Sequence, residues 1–142
     1  MLITKKWLKE KSACSEGVKW FNAQKETDAV KVIKKLIQED KLDWANWTIV
    51  RMMDYKQYVS YAVFAAEQVI DIYEKKYPNN KRPREAIKAA KKCIDNPSKE
   101  NKAAAYADAA AYVDAAAYAA NAAKNKMKVK ILEYGIKLLG DK

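Results

Sequence analysis

The amino-acid sequence predicts an all-α fold, a compact bundle of seven or eight helices around a central alanine-rich helix. Three observations predict it. No segment sustains the period-two alternation of a half-buried strand. Apolar residues recur at three- and four-residue steps, and residues that favour helix N-termini stand ahead of those runs. The 142 residues suffice for one substantial core, and three Gly and three Pro leave few helix breakers. The expected organisation is one helical domain over 1–142, with a sub-division into an N-terminal module, 1–54, and an alanine-rich module, 55–142.

Each element has its own signal. Thr4 caps a short helix through Trp7 and Leu8, and Ser12 caps a second from Ala13 to about Ala23, weakened by Gly17. Thr27 followed by Asp28 begins a third, in which Val30, Ile33, Leu36 and Ile37 form one stripe and Lys31, Lys34 and Lys35 face water. Asp43 caps a fourth, where Leu42 and Trp47 are spaced as a hydrophobic staple. Asp54 with Gln57 forms a capping box for a fifth helix, Tyr55 to about Tyr77, and Met53 with Tyr58 forms a second staple. Apolar residues cover most of that helix's circumference, which places it centrally with neighbours on several sides. Pro78-Asn79-Asn80 stops it, and Pro83 suits the first position of a sixth helix, whose inner face is Ala86, Ile87, Ala90, Cys93 and Ile94. Asn96-Pro97-Ser98 starts a seventh, and an apolar-rich segment from Met127 to Leu139 is helical until Gly140.

The seventh helix contains a repeat. Fourteen of the twenty-one residues from Ala103 to Ala123 are alanine, and Ala-Ala-Ala-Tyr-x-Asp occurs at 103–108 and 109–114 and decays at 115–120. A six-residue step advances about 240° around a helix, so Tyr106, Tyr112 and Tyr118 point in three directions. Such a rod is a close-packing helix, with tyrosines filling gaps and their hydroxyls reaching polar partners. Asp108 and Asp114 near its middle would each cost about 2.5–3.5 kcal/mol in a bilayer, so the stretch is not expected to span a membrane. The opening residues carry no apolar signal-peptide core, and a bacterial cytoplasmic location is expected.

Composition excludes several function classes. Half of the residues are hydrophobic and 32% charged, which excludes a disordered tail. The sequence contains no histidine, which removes histidine general bases, Ser-His and Cys-His pairs and the common zinc sites. The two cysteines, Cys14 and Cys93, form no CxxC and read as small buried hydrophobes in a reducing compartment. No P-loop, dinucleotide-binding or EF-hand pattern is present, so no cofactor or metal is expected. Asp108 and Asp114 diverge around the helix, which argues against a paired-carboxylate catalyst. They read as paired or solvated, and the sharper alternative is a polar pocket formed with Tyr106, Tyr112 and Tyr118. No catalytic residue is assigned.

Charge and aromatic residues carry the binding candidates. The net charge is +10, spread as +3 over 1–54, +4 over 55–95 and +3 over 96–142. The densest stretch runs from Lys75 and Lys76 through Lys81, Arg82, Arg84 and Lys88 to Lys91 and Lys92, and Lys124, Lys126, Lys128 and Lys130 form a second cluster. Either cluster is a solvated helix surface or a phosphate grip, and Tyr73 and Tyr77 are the aromatic residues adjoining the first. Trp44 and Trp47 share one helical face, as core or as a binding hot spot.

At these residues a resemblance enters. Lys11–Phe21 (KSACSEGVKWF) followed by Lys41–Trp47 (KLDWANW) resembles an N-terminal module of phage and bacterial proteins. Ala65–Ile70 (AAEQVI) and Tyr77–Ile87 (YPNNKRPREAI) resemble proteins labelled immunity proteins of the Imm5-like type, and the alanine-rich helix and Ile131–Gly135 (ILEYG) fit the same group. The resemblance covers most of the chain and brings no catalytic signature. Members of the group carry more histidine in the alanine-rich helix, so a histidine-dependent metal role does not transfer. What it implies is a non-enzymatic protein, encoded by a phage or mobile element, that neutralises a toxin or host-defence effector by stoichiometric contact. Its expected interface uses Arg82, Arg84, Lys88, Lys91, Lys92 and Tyr77. The alternative is nucleic-acid binding through the clusters at 75–92 and 124–130, which would be strongly salt-dependent. An enzyme using Asp108, Asp114 and tyrosines is the third reading.

Overall fold

The computed structural model describes residues 1–95 and 121–140. They form helices α1 (Lys5–Glu10), α2 (Ser15–Ala23), α3 (Ala29–Gln38), α4 (Leu42–Met52), α5 (Tyr55–Lys76), α6 (Arg82–Asp95) and α7 (Asn121–Gly140). The fold is all-α. Among the described residues the extended pairing is an isolated antiparallel bridge between Leu2 and Asp28. The repeat at 103–120, with Asp108, Asp114, Tyr106, Tyr112 and Tyr118, lies outside the described residues. No described helix is long and apolar enough to cross a membrane.

Three of the expected caps are in place. Thr4 Oγ1 accepts from the Trp7 N–H at 3.0 Å, and Asp28 Oδ1 accepts from the Lys31 N–H at 3.0 Å. Asp54 and Gln57 complete the capping box, with the Gln57 N–H donating to Asp54 at 2.8 Å and the Asp54 N–H donating to Gln57 at 3.0 Å. Each satisfies a donor that the helix start leaves without an intrahelical partner.

Two caps differ from the sequence expectation, for one reason. Ser12 has φ 59° and closes α1 instead of opening α2. Its N–H donates to the Lys9 carbonyl at 3.1 Å and the Ala13 N–H donates to the Leu8 carbonyl at 2.9 Å, a Schellman closure. The cap of α2 passes to Cys14, which is exposed rather than buried and accepts from the Gly17 N–H at 3.4 Å. Asp40, also at φ 59°, closes α3 in the same way, with the Asp40 N–H donating to Ile37 and the Lys41 N–H to Leu36. The chain enters α4 directly from that closure. Lys41 is the N-cap without a side-chain hydrogen bond, and Asp43 lies inside the first turn.

The buried face of α3 is also turned from the expected stripe. Ala29, Val32, Ile33 and Leu36 are buried, and Val30 and Ile37 lie at the edges. The N-terminal segment explains the turn. The Ile3 N–H donates to the Thr27 carbonyl at 2.8 Å and the Ala29 N–H to the Met1 carbonyl at 2.9 Å, so Ile3 is laid into the core beside the start of α3.

The buried side chains form two clusters. One joins α1 to α4 with α7 and with Tyr61 of α5. The other lies between α5 (Val59, Val63, Ala66, Ile70) and α6 (Ile87, Ala90). Helix α7 packs on α3, α4 and α5 and so ties the N-terminal helices to the α5–α6 pair. Phe64 and Tyr134 stack with centroids 4.1 Å apart and planes 13° from parallel. Gln57 Nε2 donates to the Leu138 carbonyl at 3.0 Å, satisfying one of the acceptors that the end of α7 leaves open. An offset-stacked or edge-to-face aromatic pair adds about 0.5–1.5 kcal/mol beyond its area, and both rings here are half-buried.

Candidate partner-binding surface

The basic stretch at 75–92 folds as the end of α5, a tight turn, and α6. The turn is built by backbone and Asn80. The Tyr77 N–H donates to the Tyr73 carbonyl and the Asn80 N–H to the Tyr77 carbonyl. Asn80 Nδ2 donates to the Tyr73 hydroxyl at 2.6 Å, and Asn80 Oδ1 accepts from the Arg82 N–H at 3.1 Å. Asn80 thus locks both sides of the turn, and Pro83 is buried in the first turn of α6. The Tyr73 and Tyr77 rings lie 5.1 Å apart, tilted by 41°.

This locked turn presents a shallow depression bordered by Lys76, Tyr77, Lys81, Arg82 and Glu85. Tyr77 is 39% exposed, and among the described residues only Met1 and Leu2 are other large hydrophobics left so open. An aromatic ring among basic side chains on a rigid element suits contact with an acidic protein face.

The remaining expected interface residues divide by their partners. Arg84 faces back to α5, where its guanidinium donates to Glu74 through Nε and the terminal nitrogen, with Asp71 3.9 Å away. The hydrogen bond from Arg84 holds the Glu74 carboxyl below its ordinary range, and Glu74 raises Arg84 in return. Lys91 pairs with Glu67 at 3.2 Å. These pairs lace α6 to α5. Arg82, Lys88 and Lys92 are exposed.

The second basic cluster divides too. Lys128 Nζ donates to Asp43 at 3.0 Å, joining α7 to the start of α4, while Lys126 and Lys130 are exposed. Both tryptophans pack against the core cluster of the N-terminal helices. Trp44 and Trp47 are half-buried, with Lys41 Nζ 4.8 Å from one ring centroid and the Arg51 guanidinium 4.1 Å from the other. The edge of Trp7 meets Trp47 at 5.9 Å. The sequence reading missed Asn80, whose signal was its place two residues before Arg82 in a turn.

A family model described as Imm-5 like putative immunity protein matches residues 48–133, from within α4 to within α7, and includes the whole α5–α6 turn. No curated protein and no solved structure matches the chain.

Proposed function

Because the chain belongs to the Imm-5 like putative immunity protein family, we propose that it is a non-enzymatic protein that neutralises a toxin or host-defence effector by stoichiometric contact. The observation that carries this reading is the family match over residues 48–133. The locked turn inside that segment supports a site for the contact: Tyr77 and Arg82 form its centre, with Lys88 and Lys92 along α6, against an acidic face of the partner. Arg84 and Lys91 hold the α5–α6 pair in shape. The resemblance of the N-terminal module supports a phage or mobile-element gene acting inside a bacterial cell.

The test is neutralisation. The chain is co-expressed in bacteria with each candidate toxin encoded beside it, and growth is followed. Rescue by the parent chain, a stoichiometric complex on size-exclusion, and loss of both in a folded Tyr77→Ala, Arg82→Glu variant are expected. Failure to rescue against every neighbouring toxin would overturn the reading. Salt-sensitive retention of DNA or RNA in place of a protein would favour the nucleic-acid alternative.

A further inference from the structure

An apolar cavity of about 360 Å³ opens between α1, α2, α3 and α4. Its floor is made of side chains that the fold buries, among them Leu8, Phe21, Val32 and Leu36. Its mouth is framed by the half-buried rings of Trp20 and Trp44. Both stretches of the N-terminal module, Lys11–Phe21 and Lys41–Trp47, contribute to this one space, and every lining residue except Thr48 precedes the segment that the family model matches.

Most polar groups on its walls are occupied within the protein, and the Ser12 hydroxyl lies at an exposed position of the lining. Trp20 Nε1 donates to Glu39 at 3.1 Å, and the Thr48 hydroxyl donates to the Trp44 carbonyl at 2.8 Å. Asp43, exposed at the rim, takes the Lys128 ammonium. Nothing in the floor can orient a charged ligand, and an apolar space of this kind holds water poorly. A dry cavity of about 150 Å³ already admits benzene, and a volume of about 360 Å³ lies within the range of small-molecule sites.

We propose that this cavity is a binding site for a neutral, apolar small molecule of one substituted or two fused aromatic rings. The site is separate from the α5–α6 turn and does not depend on the immunity reading. Ligand-observed ¹⁹F NMR of the full chain with 4-fluorotoluene tests it. Saturable broadening with Kd on the order of 0.1–1 mM is expected, and 4-fluorobenzoate, which is charged, is expected to give none. Val32→Phe fills the floor and Ala13→Phe the mouth. Each should melt near the parent temperature and bind the probe at least tenfold more weakly. Ala13 is half-buried, so its variant decides the matter if the floor variant does not fold. No saturable binding up to the solubility of the probe, equal binding of 4-fluorobenzoate, or parent-like affinity in the folded variants would overturn the proposal.

Discussion

Gly135 of α7 lies against the ring of Tyr61 of α5 so closely that a methyl group at Gly135 would stand 2.8 Å from Tyr61 Cε2 and 2.5 Å from Ile49 Cδ1. Three helices converge at this point. Neither neighbour can move aside cheaply: Ile49 is fully buried, and the Tyr61 hydroxyl is tied to Asn46. Gly135→Ala is therefore expected to destabilise the fold by about 1–3 kcal/mol, since overpacking forces off-rotamer side chains or a backbone shift. Urea denaturation measures it. Ile49→Val removes the closest atom, so the double variant should cost less than the two single changes combined. Strict additivity would mean that α7 moves away without strain.

Much of the fold was legible because its signals are local. Thr4, Asp28 and the Asp54–Gln57 box each act within four residues of a helix start, where sequence spacing and spatial contact coincide. The missed features are those in which one residue serves two neighbouring elements. Ser12 and Asp43 have the chemistry of N-caps, but tight Schellman closures in a chain with three glycines claim the positions around them. The candidate interface was legible as charge, yet spacing along one helix cannot say which cations an adjacent helix will neutralise. Glu67, Asp71 and Glu74 on α5 decide that for Arg84 and Lys91. The cavity was invisible for a related reason. Its two motif stretches are separate in sequence, and only the fold brings α2 and α4 to the same space.

Asp40 offers a stabilising change. It is exposed and sits at φ 59° in the closing position of α3, where a side chain costs about 1–2 kcal/mol in the left-handed region. Glycine avoids that cost and gives back about 0.5–1 kcal/mol through its freer unfolded chain. Asp40→Gly is expected to gain up to about 1 kcal/mol and raise Tm by a few degrees. Asp40→Val should lower it, because a β-branched side chain tolerates this backbone least. Thermal melts of both variants check the sign.

The Glu74–Arg84 pair should show itself on acidification. Arg84 lowers the Glu74 pKa from its ordinary 4.5, so folding favours the ionised carboxylate. The stabilisation is present above the ordinary value and is lost as pH falls through the lowered folded value. The pair is exposed and its net worth small. Glu74→Gln is therefore expected to be slightly less stable than the parent near neutral pH and to converge with it in acid. Denaturant midpoints measured at pH 7 and pH 3 give the comparison. A constant difference would assign the effect to packing rather than charge.

Tyr61 predicts the opposite limb of the pH profile. Its ring is buried, and its hydroxyl donates to Asn46 Oδ1. Burial pushes the phenol well above its ordinary value of 10.0. The unfolded chain loses this proton near pH 10 while the folded chain keeps it. The unfolded state therefore binds fewer protons, and stability falls as pH rises, by up to about 1.4 kcal/mol per pH unit. Tyr61→Phe deletes the titrating group. At pH 7 it should cost about 0.5–1.5 kcal/mol for the lost hydrogen bond, and Asn46, exposed on α4, then turns to water. Between pH 10 and 11.5 its stability should fall less steeply than the parent's, so the two curves approach. Parallel curves in that window would show that the Tyr61 phenol ionises in the folded protein as freely as in the unfolded chain.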